Sequence, residues 1–174
     1  MYAGLWGGRW LYDHRLAHIN ADLPERVADA VVGHELAHGR WSVPLPEMRG
    51  QEGAARLALG LFDELRVEAF SMRAAPWIRP DIRAWMVPRD PGVYEVPNGR
   101  AAALLYGAYV GRVLTGALDA AEVADLVAAL SSFGLDWAAL DVLLGEVLAA
   151  AGMGDLIRLA HVWDQTATHT GILA

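Results

Sequence analysis

The sequence predicts an α+β fold, mainly α, with a short N-terminal β-sheet and a C-terminal helical bundle in a single domain spanning residues 1–174. Three observations lead there. Aromatic stretches punctuated by glycine open the chain, in the manner of strands and hairpins. Apolar residues then recur at helical spacing, interrupted chiefly by one proline-rich stretch. Finally, 174 residues with 55% hydrophobic content amount to one domain with a substantial core.

In chain order, Tyr2–Trp6 and Arg9–Tyr12 read as strands flanking Gly7-Gly8, a dipeptide suited to a hairpin turn. A third strand, Arg15 to Asn20, follows Asp13-His14, with His14 and His18 as surface or sheet-edge residues. Strands this few and short need a helix to pack on. That helix is expected to start near Leu23, with Asp22 as N-cap, Pro24 in the first turn and Glu25 three residues after the cap. Val27, Ala30, Val31 and Ala37 make it largely buried, and Gly39 is expected to end it. Pro44 and Pro46 make the following stretch a loop. A second helix, Gln51 to Arg73, carries an apolar stripe of Leu57, Leu61, Phe62 and Leu65 and an i,i+4 carboxylate pair, Glu64 and Glu68.

Residues 76–99, with five prolines and Asn98-Gly99, are expected to be an irregular loop anchored by Trp77, Ile78, Trp85, Met86 and Val87. Residues 100–174 then form a helical subdomain. Its helices are Arg100–Leu118, one started by the box-like Asp119-Ala120-Ala121-Glu122, one started by Asp136, and one from Met153 to about Thr166, with breaks at Gly134 and Gly152. Such a bundle buttresses the preceding helices and offers an apolar face to a protein partner. The last residues, from His169, are expected to fray.

Composition narrows the function. A net charge of −7 with 14 scattered basic residues argues against a nucleic-acid surface, which needs clustered cations. There is no cysteine, so thiol catalysis and cysteine-bound zinc are excluded, and any metal must use His, Asp or Glu. Arg112 interrupts the longest apolar run, which reads as a core helix and not a membrane span. Gly4, Gly7, Gly8 and Arg9 break any signal-peptide pattern, and the expectation is a cytoplasmic chain.

The chemistry-bearing stretch is His34-Glu35-Leu36-Ala37-His38. Two histidines four residues apart share one helix face, so both imidazoles can reach one cation, with Glu35 beside them as a general base. The same residues can also be an ordinary i,i+4 pair on a surface helix. A catalytic zinc commonly has three protein ligands, and the third is expected at Glu64 on the second helix, with Asp63 as rival ligand and Glu68 as an outer acceptor orienting a histidine N–H. Tyr94, Tyr106, Tyr109, His161 and Arg66 are chemically able to stabilise an oxyanion.

His-Glu-Leu-Ala-His at 34–38, preceded by a strand-like segment and followed by an acidic helix, resembles the zincin metallopeptidases, in particular the gluzincin branch. Phe62-Asp63-Glu64-Leu65-Arg66-Val67-Glu68 resembles the acidic segment of predicted metallopeptidases associated with von Willebrand-type or cobaltochelatase-like modules. The resemblance covers about residues 15 to 75. It departs from the thermolysin-type pattern, because Glu68 stands where that pattern has an aspartate. It implies a zincin-like core, one Zn2+, a peptide or protein substrate laid along the strand Arg15–Asn20, and hydrolysis with Glu35 as general base. The alternative expectation is a catalytically silent zinc-binding regulatory or assembly module working with a partner protein such as an ATPase. A third is an interaction protein that binds no metal.

Overall fold

The computed structural model describes residues 8–11, 16–19, 22, 24–42, 50–86 and 96–168. Two strands, β1 (Gly8–Leu11) and β2 (Leu16–Ile19), precede seven helices. These are α1 (Glu25–Trp41), α2 (Gly53–Ala74), α3 (Arg79–Met86), α4 (Gly99–Thr115), α5 (Ala120–Leu130), α6 (Trp137–Ala149) and α7 (Met153–Thr168), with 3-10 turns at Pro76–Ile78 and Ser131–Phe133.

The expected α+β class, with a zincin-like core built on an N-terminal sheet, is therefore corrected. Described structure is almost entirely helical, and its strands form only one two-stranded antiparallel ribbon. The ribbon pairs Gly8 with Ile19 and Leu11 with Leu16, so Gly8 lies inside a strand and not in a hairpin turn. Four-residue strands cannot enclose a core. They lie against α1 instead. The expected strand Tyr2–Trp6, His14, the segment 43–49 and the tail from His169 lie outside the described residues, as does the side chain of His18.

Helix α2 is the axis of the molecule, packing against α1, α4, α6 and α7. Phe62 and Leu65 on α2, Leu140 and Leu144 on α6, and Leu159 and Trp163 on α7 are buried together in the main core. The Phe62 and Trp163 rings meet edge to face at 5.5 Å. A smaller core joins Ala30 on α1, Met72 at the end of α2, Ile82 and Met86 on α3, and Val123 on α5.

Close approach of α4 to α2 depends on two glycines. A Cβ at Gly107 would lie 2.9 Å from Leu61 and Trp163, and one at Gly111 would lie 2.4 Å from Leu65 Cδ1. Both distances are below contact, so only glycine lets α4 sit this deep. That depth brings Arg112 to α2.

Local signals explain most boundaries. Asn98 caps α4 by accepting the Ala101 N–H at 3.0 Å, and Gly116 leaves the helix at φ 81°. Glu122 reaches back to the Asp119 N–H at 2.8 Å, and Asp136 accepts the Ala139 N–H at 3.0 Å. Two expectations at α1 are corrected. The residue preceding its first turn is Pro24, not Asp22, and the helix runs past Gly39 to Trp41, where the Ser42 N–H donates to the His38 carbonyl at 3.1 Å. Part of the expected irregular stretch is also helical, because Pro76 and Pro80 stand in first turns, where a missing N–H costs nothing. Ile82 and Met86 anchor α3, whereas Trp77 is 73% exposed. Ion pairs from Arg79 to Asp119 at 2.7 Å and from Arg83 to Glu122 at 2.8 Å tie α3 to the start of α5. Among the described residues no helix is long and apolar enough to cross a membrane.

Replacing Gly111 with alanine is expected to destabilise the fold by about 1–2 kcal/mol, since overpacking against buried Leu65 outweighs the gain in helix propensity. The same change at Gly145 on α6, where a Cβ meets nothing within 4 Å, is expected to stabilise by about 0.5–1 kcal/mol. Urea unfolding of both variants checks the contrast in sign.

Candidate metal centre

The site lies where α1 crosses α2. His34 and His38, on one face of α1, are 2% and 6% exposed. Glu64 projects from α2 with a half-exposed side chain. His34 Nε2 stands 3.1 Å from Glu64 Oε2, His38 Nε2 stands 3.2 Å from Glu64 Oε1, and the two histidine Nε2 atoms are 3.1 Å apart. Three donors with lone pairs thus face one point, and this His34–His38–Glu64 group could hold a metal ion.

The spacing fits such an ion. Ligands about 2.0–2.1 Å from a tetrahedral zinc are roughly 3.3 Å from one another. The donor set is also chemically suited, because imidazole and carboxylate are borderline and hard ligands that divalent first-row metals accept.

His38 is oriented through its other ring nitrogen. Nδ1 lies 2.5 Å from Ser42 Oγ and 3.5 Å from Asp63 Oδ2, so an N–H there donates to oxygen and leaves the Nε2 lone pair facing His34 and Glu64. Asp63 is 2% exposed. The place beside His38 Nδ1 is thus taken by Asp63 and not by Glu68, and Asp63 lies outside the group of three converging donors. Glu68, fully buried, accepts from Arg112 instead, with Nε and Nη2 both 2.9 Å from its Oε1. His34 Nδ1 has no hydrogen-bond partner among the described residues.

Burial raises the proton affinity of Glu35, which is 4% exposed, and the nearby His34 and His38 only partly offset that rise. Burial opposes charge on His38, yet its hydrogen bonds to Asp63 and Glu64 prevail and the imidazole is pushed up to about 10. Burial likewise opposes charge on Glu64, but contacts with His34 and His38 hold its carboxyl far below the usual range. In the metal-free protein a proton on His38 balances the carboxylates.

Of the expected oxyanion donors, Tyr109 lies one turn before Arg112 on α4 and helps keep its guanidinium charged. The Tyr106 hydroxyl donates to Asp141 at 2.6 Å, on the α6 side. His161 Nε2 is exposed and 2.9 Å from Gln51 Oε1. Arg66 lines a shallow groove with Phe70, Arg73 and Leu148. Tyr94 lies outside the described residues. The Ser42 contact with His38 and the Arg112 contact with Glu68 were not foreseen. The usable signal for Arg112 was a lone charge inside an apolar helix, which requires a buried partner.

No protein-family model, curated protein or solved structure matches the chain, so the site is read from its own residues.

Stability of the metal-free protein should depend on pH in a defined way. His38 has a folded pKa above its ordinary 6.5, so its contribution is complete below that value and lost as pH rises through about 10. Glu64 has a depressed pKa, so its contribution is present above 4.5 and lost on acidification. With a chelator present, unfolding midpoints should peak between about pH 4.5 and 6.5 and fall on the alkaline side. A His38→Gln variant should lack that alkaline fall.

Proposed function

We propose that this protein is a zinc-dependent hydrolase of peptide bonds, with one Zn2+ held by His34, His38 and Glu64 and with Glu35 as general base. The observation that carries the reading is the donor count with its exposure. Among the described residues the group offers three protein ligands, and solvent reaches it at Glu64. Structural zinc sites are closed by four protein ligands, whereas catalytic sites keep a position open.

A bound zinc ion supplies Lewis-acid chemistry, acidifying water and polarising a carbonyl. The chain's own residues supply the rest. Glu35, whose burial raises its proton affinity, takes a proton from water at its carboxylate and returns it to the departing amine. Asp63 and Ser42 keep the His38 ring in one orientation. The β1–β2 ribbon lies against α1, and the second edge of β2 can receive an extended peptide by backbone hydrogen bonding. The likeness of the His34–His38 stretch to zinc peptidases supports the same chemistry.

Purified protein is expected to hold one zinc per chain, lost in His34→Ala and His38→Ala variants. Glu35→Gln should keep zinc and fold while cleavage of a peptide library falls about 100- to 10,000-fold. If wild type and Glu35→Gln were equally inert at full zinc occupancy, the catalytically silent zinc-binding module would replace the peptidase.

Asp63→Asn should leave folding intact and weaken zinc binding about 10- to 100-fold, measured by competition with a chelator. An unchanged affinity would remove Asp63 from the site.

A further inference from the structure

Directly behind the ligand Glu64, one helical turn along α2, lies a buried ion pair that the chemistry above does not use. Glu68 is 0% exposed, and Arg112 on α4 grips a single oxygen of it with two nitrogens at 2.9 Å. Arg112 Nη1 also donates to the carbonyl of Ala108 at 3.3 Å, which fixes the guanidinium plane. Gly107 and Gly111 give α4 the close approach this contact requires.

Stability alone does not account for the pair. Taking two charges out of water costs several kcal/mol per ion, and well-packed apolar residues of similar volume usually serve a core equally well. The position of the pair suggests another role. Glu64 also contributes to the field that keeps Arg112 charged, so the guanidinium bears on both carboxylates of the i,i+4 pair. Two neighbouring carboxylates repel, and with Glu68 unneutralised the ligand Glu64 would be pushed outward to water.

We propose that Arg112 is a positioning residue of the His34–His38–Glu64 centre, neutralising Glu68 so that Glu64 stays directed at the histidines. This inference rests on the metal reading of that centre. It extends the site from the α1–α2 crossing to α4 and makes zinc affinity depend on a residue that is not one of the His34–His38–Glu64 ligands.

The test is zinc affinity, measured by chelator competition alongside the apo-state unfolding midpoint. Arg112→Met leaves the Glu68 carboxylate unneutralised beside Glu64, whereas the double variant Glu68→Met/Arg112→Met removes both charges while preserving volume and net charge. Arg112→Met is expected to bind zinc about 10- to 100-fold more weakly, and the double variant to fold with a midpoint near wild type and to recover wild-type affinity. Arg112→Lys keeps the charge but loses the fork, and its affinity should fall between wild type and Arg112→Met. Wild-type affinity in Arg112→Met overturns the proposal, as does a folded double variant as weak as Arg112→Met; if Arg112→Met does not fold, wild-type affinity in Arg112→Lys overturns it. A wild-type protein that binds no divalent metal overturns the metal reading itself, an outcome distinct from a zinc-loaded wild type with indifferent variants.

Discussion

Helix α2 has to carry carboxylates through the middle of a helical bundle. Asp63 and Glu68 are buried and Glu64 is half-buried, all within two turns of a helix packed on four sides. Buried carboxylates are tolerated only when paired. Two neighbours of this stretch supply partners: α1 brings His34 to Glu64 and His38 to Asp63 and Glu64, and α4 brings Arg112 to Glu68. The crossing of α1 over α2 and the glycine-dependent depth of α4 both meet that electrostatic need.

The histidines and Glu64 were legible because helical periodicity is local. Four residues between His34 and His38 put both on one face whatever the surrounding fold does. The roles of Asp63 and Glu68 were not legible, since they depend on which neighbour lies at which angle around α2. Each residue turns the side chain by about 100°, so Glu68 is rotated roughly 40° from Glu64, which suffices to move it from the α1 side to the α4 side. The contacts of α1 with α2 run antiparallel, and the residue before Glu64 therefore meets the later histidine, His38. Only the tertiary packing contains that information. Ser42 escaped for the same reason, because it joins the site only once α1 continues past Gly39 to Trp41.

The fold was legible in its helices and misjudged in its class. Asn98, Asp119, Glu122 and Asp136 mark helix starts through side-chain or backbone hydrogen bonds that a sequence can show. The aromatic N-terminus suggested a sheet, but four-residue strands bury too little to define a layer. Prolines suggested a loop over 76–99, although Pro76 and Pro80 begin helical turns where their missing N–H has no partner to lose. In both cases a local preference was read without the burial that decides whether it is used.

The charge inventory of the site ties its titration to its ligand. Glu35, Asp63, Glu64 and Glu68 can carry four negative charges, and Arg112 supplies one positive charge at close range. Three uncompensated charges in a largely buried volume favour uptake of cations. In the metal-free protein that cation is a proton on His38, whose hydrogen bonds to Asp63 and Glu64 push it up to about 10. A divalent ion would satisfy the same field better, since it would take two of the three charges and need the His38 Nε2 lone pair, so proton and metal would compete for one nitrogen. Adding the ion leaves roughly one negative charge to accommodate, and Glu35 is the carboxyl whose proton affinity burial has raised. The field that could hold a divalent ion thus also bears on Glu35, whose proton affinity burial has raised.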